Sequence, residues 1–225
     1  MLTRPIQIAI DGPAAAGKST IAKIVAEQLG YIYIDTGAMY RAITLKALNE
    51  GINMASNEEA GALLMKTEID LQPSENGQLV FLDKKNVTEA IRSQHVTKAV
   101  SEMAAHELVR IRMVELQQQL AEGRGVVMDG RDIGTHVLPN AALKVFMSAS
   151  VEERARRRFE ENKKRNIETP LEELQDEIAK RDKMDSEREV APLKKADDAI
   201  FIDTTSLTIQ QAADEILTLA KERLS

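Results

Sequence analysis

The segment GPAAAGKST at residues 12–20 constrains the fold of this chain more than any other feature. It fits the P-loop pattern G-x-x-x-x-G-K-[ST], whose backbone N–H groups wrap a phosphate while the lysine reaches the β- and γ-phosphates. An apolar run at residues 6–10 precedes the P-loop, and apolar residues at helical spacing follow it from Ile21 to Leu29. A strand, a glycine-rich turn and a helix in this order predict a nucleotide-phosphate site. Lys18 would contact the phosphates there, and the Ser19 hydroxyl would ligate Mg²⁺.

The composition is that of a globular protein of one domain, or of one domain with an insertion. The 225 residues are 43% hydrophobic but only 3% aromatic, so we expect a sizeable and aliphatic core. The 30 basic and 36 acidic residues give a net charge of −6. This balance disfavours a general electrostatic fit to nucleic acid or to an anionic membrane.

The absence of cysteine excludes disulfides and thiolate chemistry and is compatible with a reducing compartment. No apolar run approaches the length of a membrane span, and residues 1–5 lead directly into the first predicted strand. We therefore expect a cytoplasmic protein without a signal peptide, acting as a monomer and without a membrane or nucleic-acid partner.

Short apolar runs alternate with helical patterns along most of the chain. Strands are predicted at residues 6–10, 31–34, 125–128, 143–147 and 199–202. Helices are predicted at residues 21–29, 38–49, 93–105, 108–121, 151–165, 170–189 and 209–224. This alternation predicts an α/β fold, a doubly wound parallel sheet of five strands flanked by helices. Ligands bind at the carboxyl ends of such strands, where Asp11, Asp35 and Asp129 lie, so we expect these ends to converge on one crevice.

One stretch breaks the alternation. Apolar residues at 69–71 and 79–82 flank Ser-Glu-Asn-Gly at 74–77, and Asn-Gly is a strong hairpin signal. We expect a small antiparallel sheet in an inserted subdomain. The predicted division is a P-loop core at residues 1–37 and 96–225, with an arginine-rich segment at about 151–166 that suits a lid, and an insertion at residues 38–95 that carries this sheet.

Asp129-Gly130-Arg131-Asp132 follows the third predicted core strand. A carboxylate in this position, in the same sheet as a P-loop, is typical of a group that helps to hold Mg²⁺. Arg131 and Asp132 stand just beyond the strand, where they can face a ligand. Asp-Gly also favours plain turns, but the P-loop in the same sheet favours the site.

Further cations are spaced to share helix faces. Arg181, Asp185 and Arg188 are separated by four and three residues, which suits either a ligand-binding stripe or simple ion pairing within the helix. Arg41, one turn into the second predicted helix, could bind a phosphate or be solvated.

The lid segment carries arginines interleaved with glutamates, so most of them suit ordinary ion pairs. Arg154, Arg157 and Arg158 nevertheless share one helix face. Phosphoryl transfer needs cations around the transferred group, and mobile segments often bring them in. We expect one or two of the three to do so, and select Arg154 and Arg158.

Together these segments resemble the bacterial cytidylate kinases. The resemblance covers essentially the whole chain. It is carried by IDGPAAAGKST at 10–20, DTGAMYRA at 35–42, DGRDIGTHVLPNA at 129–141, RD-x-x-D-x-x-R at 181–188 and APLKKADDAIFIDTT at 191–205. The hairpin also fits this family, whose monophosphate-binding region has a small extra sheet. The resemblance implies transfer of the γ-phosphoryl group of ATP to CMP or dCMP, with Mg²⁺, in pyrimidine metabolism.

The resemblance also implies roles at matching positions. The ATP phosphates would be bound by Gly12, Pro13, Ala14, Ala15, Ala16, Gly17, Lys18, Ser19 and Thr20. The CMP phosphate would be held by Arg41, Arg131 and Arg188, the cytosine by Ser101, Arg110 and Asp132, and the sugar by Arg181 and Asp185. Thr36 and Asp129 would complete the substrate site. The catalytic cations would be Lys18, Arg131, Arg154, Arg158 and Arg188, and the metal ligands Ser19 and Asp129. Many family members have serine where this chain has Thr36, so the hydroxyl is kept.

Three other interpretations stay open at this point. A GTPase switch would require an N-K-x-D motif, and residues 162–165, Asn-Lys-Lys-Arg, lack the aspartate. Another P-loop kinase, acting on UMP, dTMP or shikimate, is the nearer alternative. A nucleotide-binding subunit without catalysis is disfavoured by the intact set of Lys18, Ser19 and Asp129.

Overall fold

The computed structural model describes residues 5–74 and 77–224. Its strands are β1 (Gln7–Asp11), β2 (Ile32–Asp35), β3 (Ile69–Ser74), β4 (Gly77–Leu82), β5 (Lys85–Asn86), β6 (Val126–Gly130), β7 (Leu143–Ser148) and β8 (Ile200–Asp203). Its α-helices are α1 (Lys18–Leu29), α2 (Thr36–Glu50), α3 (Asn57–Met65), α4 (Gln94–Met103), α5 (Glu107–Ala121), α6 (Val151–Lys164), α7 (Leu171–Glu187) and α8 (Ile209–Leu224). A 3₁₀ turn at Ala90–Arg92 and a π turn at Ile133–Val137 complete the elements.

The predicted five-stranded parallel sheet is confirmed. Its strand order is β2-β6-β1-β7-β8, and every neighbouring pair is parallel. The chain enters at the central strand β1, moves to the edge strand β2 and later returns to fill β6 between them. The carboxyl ends of β1, β2 and β6 therefore lie side by side, which brings the P-loop next to the segments that follow Asp35 and Asp129.

Both faces of this sheet are buried, as a doubly wound sheet requires. Alternate residues of β1 point to opposite faces of the sheet. Ile8 and Ile10 pack against α1 and α8 on one face, whereas Ala9 packs on the other face with side chains of β2 and β6. The buried side chains on both faces are largely aliphatic and methionine, as the low aromatic content predicted.

The predicted antiparallel hairpin is also confirmed. Strands β3, β4 and β5 form a separate sheet in which Ser74 lies opposite Gly77. The intervening Glu75 and Asn76, on which the Asn-Gly signal partly rests, lie outside the described residues. Gln78 joins the hairpin to the core, because its side chain accepts from the Asp35 N–H at 3.1 Å and donates to the Tyr33 carbonyl at 2.8 Å.

The structure differs from the sequence-based expectation at several elements. Helix α3 and the short β5 were not predicted. Helix α2 begins at Thr36, earlier than expected, because the Asp35 side chain caps it by accepting from the Ala38 N–H at 2.9 Å. Within α2, Leu48 is 39% exposed, whereas Met39 and Ile43 are buried against α3 and α5. Within the described ranges, no helix is long and apolar enough to cross a bilayer.

Candidate active site

A crevice of about 780 Å³ lies at the carboxyl ends of β1, β2 and β6. Most of the predicted site residues line it. They are Ala14, Ala15, Ala16, Gly17, Lys18, Ser19, Thr20, Thr36, Arg41, Ser101, Arg110, Asp129, Arg131, Asp132, Arg158, Arg181, Asp185 and Arg188. Gly12, Pro13 and Arg154 are not among the lining residues. Residues from widely separated regions of the sequence thus share one cavity, whose walls carry both the P-loop and a group of arginines.

The P-loop backbone requires its glycines at two points. Gly12 has φ of +149°, and a Cβ there would lie 2.0 Å from the Met147 carbonyl oxygen, so no larger residue fits. Gly17 has φ of +89° and directly precedes α1. Ala15 also has positive φ, at +60°, although it is not glycine. Such alternation of backbone conformations at a helix N-terminus is typical of anion-binding loops.

Lys18, Ser19 and Asp129 meet at the floor of the crevice. The buried Lys18 Nζ donates to the Pro13 carbonyl at 2.8 Å, and the Ser19 hydroxyl donates to Asp129 Oδ2 at 2.9 Å. The Tyr33 hydroxyl donates to the other carboxylate oxygen of Asp129 at 2.8 Å, a contact that sequence reasoning missed. Burial lowers the pKa of Lys18, assisted by the charge of Arg131, and burial raises the pKa of Asp129, assisted by Asp35.

Asp132 pairs with two of the predicted arginines. It forms a buried ion pair with Arg110, and its Oδ1 lies 3.6 Å from Arg188 Nη2. Arg110 also donates to the Ala104 carbonyl at 3.0 Å and lies over the Tyr40 ring, 5.6 Å from its centroid. Among the described residues the buried Nε of Arg110 has no hydrogen-bond partner. Asp132 therefore fixes two cations at one end of the crevice and leaves them donors for a ligand.

Asp185 forms an ion pair with Arg131 and interacts electrostatically with Arg181. Arg131 Nε donates to Asp185 Oδ2 at 2.8 Å, and Asp185 is 4% exposed. Burial alone would raise the pKa of Asp185, but the charges of Arg131 and Arg181 outweigh it and hold the pKa below its usual range. Burial, followed by the charge of Arg131, lowers the pKa of Arg181 to about 9.

Arg41 completes this group of cations. Its Nη1 donates to Thr97 Oγ1 at 2.8 Å and to the Ile91 carbonyl at 3.4 Å. Burial, together with the charge of Arg158, lowers its pKa to about 10. We call the set Arg41, Arg110, Arg131, Arg181 and Arg188 the arginine wall. Burial and neighbouring cations lower the pKa values of Arg41, Arg181 and Arg188. Burial acts in the same direction on Arg110 and Arg131, but the nearby Asp132 and Asp185 help to hold the pKa values of these two above their usual range. Such a group of cations favours the binding of an anion between its members.

The remaining predicted substrate residues lie at the same crevice. Ser101 reaches it from α4. The buried Thr36 hydroxyl donates to the Asp129 carbonyl at 2.7 Å, so it stabilises the end of β6 beside the P-loop. Tyr40, which lies in the segment DTGAMYRA, and Thr97 were given no role from the sequence. Each is identified by its contact with an arginine of the wall.

The structure separates the arginines that sequence spacing placed on one face of α6. Arg158 lines the crevice. Arg154, predicted to be catalytic, is buried beside the P-loop, where it binds both carboxylate oxygens of Asp182 at 3.0 and 2.6 Å and donates to the Ala14 carbonyl at 3.2 Å. Arg157 donates to the Thr204 carbonyl at 2.6 Å. Arg154 and Arg157 thus support the P-loop from behind, whereas Arg158 faces the space in front of it.

Known proteins resemble this chain over its whole length. The sequence model of the family described as cytidylate kinase matches residues 8–222. A cytidylate kinase from Lysinibacillus sphaericus (strain C3-41) is 61% identical over 223 residues, covering 99% of this chain and 100% of the relative. One from Bacillus subtilis (strain 168) is 58% identical over 222 residues, covering 99% of each chain. A solved structure of an uncharacterized protein from Eubacterium ventriosum ATCC 27560 has a TM-score of 0.54 at 14% identity, over 96% of this chain and 98% of that one, which shows the fold alone.

Proposed function

The chain belongs to the cytidylate kinase family, and from that membership we propose that its crevice transfers the γ-phosphoryl group of ATP to CMP or dCMP. The products are ADP and CDP or dCDP. The observation that carries the proposal is the meeting of a P-loop and an arginine wall in one cavity. Two polyanions can be held there side by side, with buried cations offsetting their repulsion.

The chemistry needs alignment and charge neutralisation more than proton transfer. The attacking atom is an oxygen of the CMP phosphate, which is largely ionised near neutral pH, so no general base is required. This agrees with the residues at the crevice, which are mainly Arg, Lys, Asp and hydroxyl side chains. The main contribution of the enzyme is to hold the two phosphates in line and to stabilise charge on the transferred group.

On the ATP side, the backbone of the P-loop binds the β- and γ-phosphates. Lys18 exchanges the Pro13 carbonyl for a phosphate oxygen, and the nearby anionic charge raises its pKa so that it acts as a cation. Arg158 reaches the transferred group from α6. Arg154, already bound to Asp182 and to the P-loop carbonyl, acts by holding the loop in shape.

On the CMP side, the phosphate is bound by Arg41, Arg131 and Arg188. The cytosine edge is read by Ser101, Arg110 and Asp132. The Asp132 carboxylate accepts from the exocyclic amine of the base, and the Arg110 guanidinium donates to its carbonyl and ring nitrogen. The ribose is held by Arg181 and Asp185. These assignments are supported by the position of every one of these side chains on the crevice.

Mg²⁺ fits beside the P-loop, because Ser19 and Asp129 place a hydroxyl and a carboxylate next to each other and Mg²⁺ prefers such oxygen ligands. When bound, the ion would neutralise part of the charge of the ATP phosphates. Ser19 and Asp129 would hold it, directly or through water, and Tyr33 would orient the Asp129 carboxylate.

A panel of acceptors tests the proposed function. The purified chain would be mixed with ATP and Mg²⁺ and with CMP, dCMP, UMP, dTMP, AMP or shikimate, and ADP release would be followed by a coupled assay. We expect kcat/KM to be highest for CMP and dCMP. A higher kcat/KM for UMP or dTMP would replace the cytidylate assignment with another P-loop kinase, and turnover of ATP without any acceptor would argue against a kinase altogether.

A further inference from the structure

Asp11 is a buried carboxylate that has no role in the reaction proposed above. It is the last residue of β1 and directly precedes the P-loop, and it is 4% exposed. Its two oxygens accept from two successive backbone N–H groups, Ile133 at 2.8 Å and Gly134 at 2.7 Å. The buried carboxylate at the end of the central strand thus binds a loop that lies more than a hundred residues further along the chain.

The loop bound by Asp11 begins immediately after Asp132. Ile133 and Gly134 open the π turn, and the Asp132 carbonyl accepts from the His136 N–H at 2.8 Å within it. The backbone on the C-terminal side of Asp132 is therefore fixed by Asp11. The Asp132 side chain in turn holds Arg110 and Arg188.

Gly134 leaves little room for a side chain beside Asp11. A Cβ added to Gly134 would lie 3.2 Å from Lys144 Cδ and 3.4 Å from Asp11 Oδ2. A larger residue at this position would therefore crowd both the Lys144 side chain on β7 and the carboxylate at the end of β1.

We propose that Asp11 is a positioning residue for nucleobase recognition, which sets the orientation of Asp132 and through it that of Arg110 and Arg188. The inference rests on the proposed function, in which Asp132 and Arg110 read the cytosine. Because Asp11 adjoins Gly12, it also joins the loop that binds ATP to the loop that reads the acceptor base. The requirement is for two acceptor atoms, which only a carboxylate supplies at this place.

Asp11 could instead serve as a counter-ion for Lys18, but its hydrogen bonds favour the role of holding the π turn. Both oxygens of Asp11 are engaged by the Ile133 and Gly134 N–H groups, whereas Lys18 Nζ is bonded to the Pro13 carbonyl. The charge of Asp11 raises the pKa of Lys18, but less than the charge of Asp129 does. The two roles predict different kinetic defects, so they can be separated.

The isosteric substitution Asp11→Asn tests the proposal. Asparagine keeps one acceptor but turns its NH₂ toward the second N–H, which leaves a buried donor facing a donor. We expect the KM for CMP to rise roughly tenfold and the ratio of kcat/KM for CMP over UMP to fall by a similar factor. The KM for ATP should change by less than about twofold. Equilibrium binding of CMP to the full chain without ATP should weaken in parallel.

The chain offers a control in Asp203, an exposed residue that ends another parallel strand, β8. It accepts from the Thr205 N–H at 2.9 Å and the Thr205 hydroxyl at 2.6 Å, and Asp203→Asn makes the same atomic change away from the π turn that follows Asp132. The CMP/UMP ratio should stay unchanged in this control. A second test variant, Gly134→Ala, pushes on the same contact without altering Asp11 and should shift the ratio in the same direction by a smaller factor.

Either of two outcomes would overturn the proposal. One is a loss in kcat or in ATP affinity with an unchanged CMP/UMP ratio in Asp11→Asn, which would assign Asp11 to Lys18. The other is an equal loss for both acceptors that follows thermal stability, which would mean a purely structural carboxylate. If Asp11→Asn does not fold, Gly134→Ala decides by the same ratio. Failure of the proposed function itself is distinguishable, because the wild-type chain would then not prefer CMP.

Discussion

The P-loop and the arginine wall both bind phosphate, but they are built in opposite ways. The P-loop is one continuous stretch of nine residues, residues 12–20, whose backbone takes its shape from glycines and from the start of α1. The wall takes side chains from α2, α5, α7 and from the ends of β6 and α7. In the first region the backbone provides most of the donors, and in the second long-range packing must assemble them.

The arginine wall also needs carboxylate partners for its cations. Cations packed side by side repel one another, and burial adds a desolvation cost to each. Asp132 and Asp185 offset this by pairing with Arg110 and Arg131. We therefore expect substitutions in the P-loop to remove charge stabilisation of the transition state. Substitutions in the wall should instead reduce selectivity among acceptors and leave buried charges unpaired.

The largest effect is expected on the P-loop side. Lys18→Ala should lower kcat by about a thousandfold or more, because a cation at the transferred phosphoryl group is lost. The fold should survive, since the principal contact of Lys18 is one backbone carbonyl at 2.8 Å. Steady-state kinetics and a thermal melt would check both points; near-normal kcat with a lowered melting temperature would make Lys18 a structural residue.

A smaller and more selective effect is expected in the wall. Arg110→Met should reduce the CMP/UMP ratio of kcat/KM by about a hundredfold, because a site built to pair with polar base edges discriminates through those pairs. Arg112→Met, on the same helix but partly exposed and paired with Glu115 at 2.8 Å, is the matched control and should leave the ratio unchanged. An unchanged ratio in Arg110→Met with activity retained would remove Arg110 from base recognition.

Two arginines of α6 sharpen the comparison further. Arg158→Ala should lower kcat by about tenfold at an unchanged melting temperature, since the side chain faces the crevice. Arg154→Ala should instead lower the melting temperature by about 5–10 °C, because it unpairs Asp182 and the Ala14 carbonyl. Differential scanning calorimetry and kinetics on both variants would check the separation. The reverse pattern would restore Arg154 as the catalytic arginine of the lid.

The smallest effect is expected in the acid dependence of stability at Asp185. Burial raises the pKa of this carboxyl, but the neighbouring arginines hold it below the ordinary value of 3.8. Its pairing therefore contributes stability above pH 3.8, and the contribution is lost as the pH falls through the lower folded pKa. Urea unfolding of wild type and Asp185→Asn would give the difference in unfolding free energy at each pH. We expect that difference to be constant above about pH 5 and to shrink below 3.8. A difference that grows with acid would contradict the ion pairing.

Local patterns were sufficient for the parallel sheet, for the hairpin and for most helices. Strand bounds agree to within a few residues, and helix α8 has the bounds 209–224 that its periodicity predicts. The failures lie where tertiary packing decides. Helix α3 is short and its buried face is completed by α2 and α5, so its sequence alone does not stand out. The π turn at Ile133–Val137 donates two N–H groups to the Asp11 carboxylate, a contact that no local pattern around residue 133 indicates.

The sequence by itself determined the P-loop, the strand ends that meet beside it and the family resemblance, because backbone phosphate binding is encoded in consecutive residues. Only the tertiary structure decided which cations face the crevice. Arg154 and Arg158 are one helical turn apart, yet one is closed off by Asp182 and the other is open to the cavity. The physical reason is that the groups packed around a buried cation decide whether it is paired or open to a ligand. Here those groups come from distant parts of the chain.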